Sequence, residues 1–422
     1  MIITSRENNC WQEGKEVSES GTVLSFGEEK QTIRGFGTCF SELGAIALNT
    51  LPKEDKKAIL DEMFSEDGCN FNFCRTPIGA SDFSYDFYSY NETDGDYEMK
   101  NFSIKRDEEL LLPLILEGVK RQKDMQMFAS PWCPPLWLKT KRAYSYGTFD
   151  MTKEKLSAYA LYFKKYVQAY QNAGVPIKFV CPQNEPCSNQ VFPSCVWKGY
   201  ELTEFVGKYL GPTLENENVD IMFGTINGPE GGDRFPWTRY CNYLGLAMQD
   251  ENAKKYIKAV GYQWAGKFAM PQTNDDYPNL EIIQTESECG DGENTFYQAT
   301  VIYGLMRHYF RFGASAYVYW NIALGDGFST WGWKQNSLVK VVDGKYTFTP
   351  EFYMMKHFSH FVKRGARYVM MKGEFASSCT AFKNPDGSYV LVCDNPYDFD
   401  KIITVEGKNY LLPAHSINTI VM

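Results

Sequence analysis

The chain has 422 residues and a formal charge of -9, with no lysine or arginine stripe that could track a phosphate backbone, which argues against nucleic acid and anionic membranes as partners. Its four histidines (His308, His357, His360 and His415) all follow residue 300, and no HExxH occurs, which removes the His-dependent triad hydrolases and most metallohydrolases. The length exceeds a bare (β/α)8 barrel of roughly 250 residues and leaves room for a smaller second domain. Aromatic residues make up 16% of the chain, which suits a sugar-binding cleft but equally a large core.

Residues 1–28 read as short strand material, with Thr22 to Phe26 the clearest piece. The opening MIITSRENNCWQEG lacks a basic stretch followed by an apolar one, and no run of 18 apolar residues occurs anywhere, so no transmembrane segment is predicted. From Thr32 onward, apolar runs alternate with amphipathic stretches, the sequence form of repeated βα units. The predicted strands are Thr32 to Phe40, Asn70 to Ile78, Met125 to Trp132, Ile177 to Gln183, Val219 to Thr225, Ala259 to Trp264, Glu281 to Glu286 and Ala316 to Asn321. Gly35 and Gly37 in the first of these point to close backbone approach. Helical periodicity marks Leu43 to Phe64, Asp107 to Lys123, Thr152 to Asn172, Thr203 to Glu215, Asn294 to Phe312 and Pro350 to Phe361. Pro271 to Asn279 reads as loop.

Beyond residue 363 the texture changes to six short strands, between Tyr368 and Met422, with a turn at Asn384-Pro385-Asp386-Gly387. The N-terminal strands have no barrel partner and are expected to complete this sandwich. The fold class is therefore α/β, a (β/α)8 barrel over 29–363 with an attached β-sandwich built from 1–28 and 364–422. The twelve cysteines are scattered singly, with no C-x-x-C, and Cys74, Cys181 and Cys393 sit inside apolar strands, where a thiol packs as a small hydrophobe. That usage, with no visible leader, predicts a cytoplasmic protein.

Two stretches carry the chemistry. IKFVCPQNEP ends a buried strand on Asn184, Glu185 and Pro186, and EIIQTE ends another on Glu286. Catalytic groups of a barrel sit where its strands stop, and two carboxylates on different strand ends are what cleavage of a glycosidic bond requires. Asn184 beside Glu185 could hold a sugar 2-hydroxyl. Glu286 is preferred over Glu288 because it stands at the strand lip, with Glu288 a supporting or loop carboxylate. The acidic GDGEN loop that follows lacks the alternating oxygen ligands of a calcium loop. Trp132 is placed to stack on a sugar or fill the core, and Asp82 to bind hydroxyls or stand solvated. Trp320 and Asn321 close the last strand, ahead of Trp331, Trp333 and Asn336.

RGFGTCFSELGA, FNFCRTPIGASDFS, FASPWCPPLWLKT, CPQNEP, IIQTESEC, YVYWNIAL and WGWKQN, in this order, resemble glycoside hydrolase family 30, the glucosylceramidase-like family. The resemblance covers nearly the whole chain from Arg34. It implies a retaining barrel glycosidase with Glu185 as acid/base and Glu286 as nucleophile, and it places Arg75, Asp82, Trp132, Asn184, Trp320 and Asn336 around a non-reducing glucose. Tyr262 opens Tyr262-Gln263-Trp264, where the family's glucosylceramidases have His-Trp-Tyr, and is assigned to substrate binding with that departure. No cofactor or metal is implied, and the expected partner is a β-linked glucoside, oligosaccharide or glycolipid. An exo-acting β-glucosidase is the expectation, ahead of an endo-acting β-1,6-glucanase or xylanase and of an inactive carbohydrate-binding barrel. No oligomeric state follows from the sequence.

Overall fold

The computed structural model describes residues 1–228, 243–325 and 329–422. Eight parallel strands close a barrel: β1 (Gly35–Cys39), β2 (Phe73–Pro77), β3 (Gln126–Ser130), β4 (Ile177–Val180), β5 (Asp220–Ile226), β6 (Ile257–Gln263), β7 (Glu281–Glu286) and β8 (Ala314–Asn321). Phe73, Phe128, Phe179, Met222, Ile283 and Val318 fill its interior, so the barrel is a packed core and not a channel. Gly37 is required where β1 meets β2: a Cβ there would lie 1.9 Å from the carbonyl oxygen of Phe73.

The outer helices largely follow the predicted periodicity, with two corrections. The stretch Leu43 to Phe64 is two helices, Glu42–Asn49 and Lys53–Phe64, because Pro52 cannot continue the first and caps the second. Pro271 to Asn279 is not loop throughout: Met270–Asp276 is a helix with Pro271 in its first turn, where a missing N–H is harmless. After β8 the chain also forms a small sheet, Ala323–Leu324, Val339–Val342 and Lys345–Phe348, turned at Asp343-Gly344.

A ten-stranded sheet draws on both termini, with Ile2–Arg6 paired to Ser416–Val421. The strand Thr22–Thr32 pairs antiparallel with Arg367–Lys372 and parallel with Lys401–Val405, so it belongs to both layers of the sandwich and runs past residue 28. Leu24, Val369, Leu391, Cys393, Ile403 and Leu412 are buried between the layers. The sandwich is fixed to the barrel by His357, on the helix Pro350–Ser359, whose ring hydrogen-bonds Thr419 Oγ1 at 2.7 Å and Ser5 Oγ at 2.8 Å. No described helix is long and apolar enough to cross a membrane.

Candidate active site

Arg75 is the hub of the barrel's C-terminal mouth. It lies on β2, is fully buried, and carries a charge that must be met where it stands. Its Nη2 donates to Ser130 Oγ at 2.9 Å and to Asn184 Oδ1 at 2.5 Å, while Nη1 donates to Glu286 Oε2 and, at 3.3 Å, to the carbonyl of Thr285. A guanidinium only donates, so the atom of Asn184 that it meets is the carbonyl oxygen. Thr225 Oγ1 at 2.9 Å and Gln263 Nε2 at 2.8 Å converge on the same oxygen. Asn184 Nδ2 is thereby the side of the amide left to a ligand. Gln263 Nε2 also donates to Glu286 Oε2 at 2.9 Å, which the register permits because Gln263 and Glu286 are partners across β6 and β7.

Glu185 follows β4 in a left-handed backbone conformation, φ 48°, which an ordinary residue before proline avoids. The surroundings over-determine it: its N–H donates to Thr225 O at 3.0 Å, its carbonyl accepts from Ser188 N at 2.8 Å, and Ser188 Oγ donates to Glu185 Oε2 at 2.7 Å. Such strain persists where a side chain must be aimed. Asn227 Nδ2 in turn holds Ser188 Oγ at 2.7 Å.

Both glutamates line one cavity of about 360 Å3, together with Asp82, Trp132, Asn184, Trp264 and Trp331. Trp132 stacks on Trp320, ring centroids 5.4 Å apart, and the Arg75 guanidinium sits 4.6 Å from the Trp132 ring. Asp82 is brought in by the long excursion after β2. That excursion is pinned by Glu42, which accepts from Tyr85 N at 2.8 Å and Arg106 Nε at 3.0 Å, and by Asp107, which accepts from the phenols of Tyr88, Tyr90 and Tyr170.

Burial pushes the Asp82 carboxyl up to about 7, with the charge of Glu185 adding to it and Arg75 opposing. Burial likewise pushes the Glu286 carboxyl up to about 8, opposed by Arg75 and reinforced by Glu185 and Asp82. Three carboxyls around one guanidinium cannot all be ionised at neutral pH, so the cluster retains protons. Both groups that touch Glu286 Oε2 are donors and leave no room for a proton there. The cluster titrates as a unit, and these donors oppose protonation of Glu286.

Of the residues expected from sequence, Glu185, Glu286, Asp82, Trp132 and Asn184 line the cavity, and Arg75 lies directly behind them. Trp320 packs behind Trp132. Two expectations are corrected. Tyr262 faces outward into the core, its OH 2.7 Å from Thr273 Oγ1 on the helix Met270–Asp276, because alternation along β6 sends Gln263 and not Tyr262 into the mouth. Asn336 does not line the cavity: its Oδ1 accepts from Gly292 N at 2.6 Å and its Nδ2 donates to Glu351 Oε1, so it shapes the loop after Glu288. The unforeseen contributors are Gln263, Thr225, Ser188, Trp264 and Phe192. Gln263 and Thr225 had a readable signal, a polar side chain at the end of an apolar run. Among the described residues, no group of three or more His, Cys, Asp or Glu side chains is arranged to hold a metal.

A closed parallel barrel with two glutamates in an aromatic-walled cavity at its C-terminal mouth has the architecture of a glycoside hydrolase. The family assignment is specific: the chain belongs to glycosyl hydrolase family 30, whose TIM-barrel domain model matches residues 33–362 and whose β-sandwich domain model matches residues 365–420. The chain is 26% identical to the lysosomal acid glucosylceramidase of Mus musculus, over 95% of this chain and 83% of that protein. It is also 26% identical to the endo-1,6-β-D-glucanase BGN16.3 of Trichoderma harzianum, over 93% of this chain and 84% of the glucanase. The crystal structure of SrfJ from Salmonella typhimurium superposes with a TM-score of 0.88, covering 100% of this chain and 98% of that one at 23% identity, a likeness of fold.

Proposed function

We propose that this glycosidase is retaining and exo-acting, and removes a terminal β-glucosyl residue by double displacement. The observation that carries the reading is the one-sided grip on Glu286: the donors from Arg75 and Gln263 both fall on Oε2, which leaves Oε1 as the oxygen for attack at an anomeric carbon. In the first step a bond forms from Glu286 Oε1 to that carbon, the bond to the aglycone oxygen breaks, and Glu185 gives that oxygen its proton. The glycosyl-enzyme removes the charge of Glu286 that opposed ionisation of Glu185, and Glu185 then deprotonates the water that displaces the sugar. Asn184 Nδ2 is placed for the neighbouring sugar hydroxyl, a contact that strengthens as charge develops.

A sugar also suits the polar atoms around the cavity. Asp82 Oδ1, Trp331 Nε1 and Gln335 Nε2 line it or border it buried, with no hydrogen-bond partner among the described residues. A hydroxyl both donates and accepts, and so can meet a carboxyl and an N–H in turn. The exo reading rests on a bridge between loops: Thr330 Oγ1 donates to Ser84 O and Thr330 N to Asp82 O at 3.4 Å, walling one side of the cavity with the segments after β2 and β8. An endo-acting β-1,6-glucanase is the second reading, favoured by the likeness to the Trichoderma enzyme along most of the chain.

Digestion of a β-1,6-linked gluco-oligosaccharide labelled at its reducing end separates the two. Glucose released singly from the unlabelled end supports the exo reading. Labelled fragments of intermediate length, appearing first, would replace it with the endo one.

A further inference from the structure

Away from the barrel mouth, the antiparallel strands Cys379–Lys383 and Tyr389–Asn395 place Cys379 directly opposite Cys393, with their Sγ atoms 3.2 Å apart. Residues so paired have Cα atoms about 4.5 to 5.5 Å apart, inside the span a disulfide accepts. Both are free thiols. Cys393 is fully buried between the sandwich layers, whereas Cys379 forms part of the wall of a separate cavity of about 350 Å3. This cavity lies at the seam between the sandwich and the barrel helix Phe296–Arg311.

The seam cavity is electropositive. Arg307, His308 and Arg311 line it, and neither arginine forms a salt bridge to a described carboxylate; Arg307 Nη1 donates instead to Ser377 O, and Arg311 Nη1 meets the thioether of Met370. Asp394 is the nearby acid: burial raises its carboxyl to about 6, with Arg307 opposing. The thiols are also ordered. Cys379 Sγ donates to Phe375 O at 3.4 Å, which leaves Cys393 as the donor toward Cys379 Sγ. Tyr303 OH lies 2.8 Å from Ser378 O and 3.0 Å from Val392 O, its one proton shared between the backbone carbonyls beside the two cysteines, which ties both to the same helix.

We propose that Cys379 and Cys393 are a redox-active dithiol that closes to a disulfide when an anionic low-molecular-weight disulfide, such as oxidised glutathione, enters the arginine-lined cavity. Cys379, as thiolate, attacks one glutathione sulfur and expels the other glutathione as thiolate. The Cys393 thiolate then attacks Cys379 Sγ and expels the second. Two protein thiols are oxidised, the small disulfide is reduced to two thiols, and the two thiol protons pass to the expelled thiolates. The paired strands are already in register, so closure needs side-chain rotation and no rearrangement of the sheet. The cavity is distinct from the one holding Glu185 and Glu286, and the inference does not depend on the reading of that site.

The test is to incubate the full chain with oxidised glutathione under native conditions, block the remaining thiols, and map peptides without reduction. A Cys379–Cys393 linked peptide, protein lighter by two hydrogens, a raised melting temperature and unchanged glycosidase turnover are expected. Cys393→Ser should stop at a single glutathione carried on Cys379. The double variant Arg307→Ala and Arg311→Ala should slow linkage by oxidised glutathione about tenfold while leaving linkage by an uncharged hydroxyethyl disulfide unaltered. Failure of the folded wild-type chain to link these two cysteines, or equal slowing with both oxidants, would overturn the proposal.

Discussion

Strand β7 carries a glutamate at each end, and each meets an arginine in a different way. At the bottom, Arg34 Nε and Nη2 clasp both oxygens of Glu281, at 2.7 and 2.6 Å, and Ser315 Oγ adds a third bond at 2.7 Å. Both oxygens of that carboxylate are engaged. At the top, Arg75 divides its donors among Ser130, Asn184, Thr285 and Glu286, and the donors that reach Glu286 all fall on one oxygen. A glutamate met by an arginine is a fastening at one end of this strand and, at the other, a half-satisfied carboxyl proposed as the nucleophile. This matches the division of a barrel into a face for stability and a face for chemistry.

The largest expected effect breaks the comparison directly. Glu286→Gln should lower turnover of an aryl β-glucoside on the order of 10^4-fold or more, the scale of losing a nucleophile. Glu281→Gln should leave kcat unchanged and cost about 1 kcal/mol of stability in denaturant titration, because its pair is partly exposed. Next in size, Glu185→Gln should slow natural glucosides by about 10^2 to 10^4-fold, while substrates with a good leaving group lose much less. Equal losses on both substrates would count against an acid role.

A smaller effect sharpens the comparison through pH. The carboxyls of Asp82 and Glu286 are raised by folding, so between pH 4.5 and about 8 the folded chain holds more protons than the unfolded one. Stability contributed by this cluster is therefore present at the acid end of that window and is lost as pH rises through it. Wild-type melting temperature should fall across the window more steeply than that of Glu286→Gln. Parallel curves would show that Glu286 does not titrate there. Smallest of all, Tyr262→Phe should leave KM and kcat alone and cost about 1 kcal/mol for the hydrogen bond to Thr273, whereas Gln263→Leu should depress kcat.

What was legible followed from local rules. Glu185 and Glu286 were readable because each ends an apolar run, and Arg75 and Asp82 because motif order carried them. The parity of β6 was the failure. Resemblance pointed to Tyr262, but an alternating strand aims neighbours to opposite faces, and the adjacent Gln263 is the one in the mouth. Asn336 failed for a different reason: its partners Gly292 and Glu351 come from separate segments that only the folded chain brings together. The helix at Met270–Asp276 was hidden because proline and polar residues read as loop, although proline is at home in a first turn. The hairpin at Asp343-Gly344 could have been read from that dipeptide, a strong hairpin turn signal, between the apolar runs that flank it.

The proposed mechanism requires Glu286 to bond covalently to the sugar while Glu185 moves the proton. The most direct measurement is peptide mapping after inactivation with a 2-deoxy-2-fluoro-β-glucoside bearing a good leaving group, which lets the first step occur and slows the second. One sugar per chain is expected, attached at Glu286, with faster labelling in no variant that lacks Arg75. A sugar found on Glu288 or elsewhere, or steady turnover with inverted product and no labelled peptide, would contradict it.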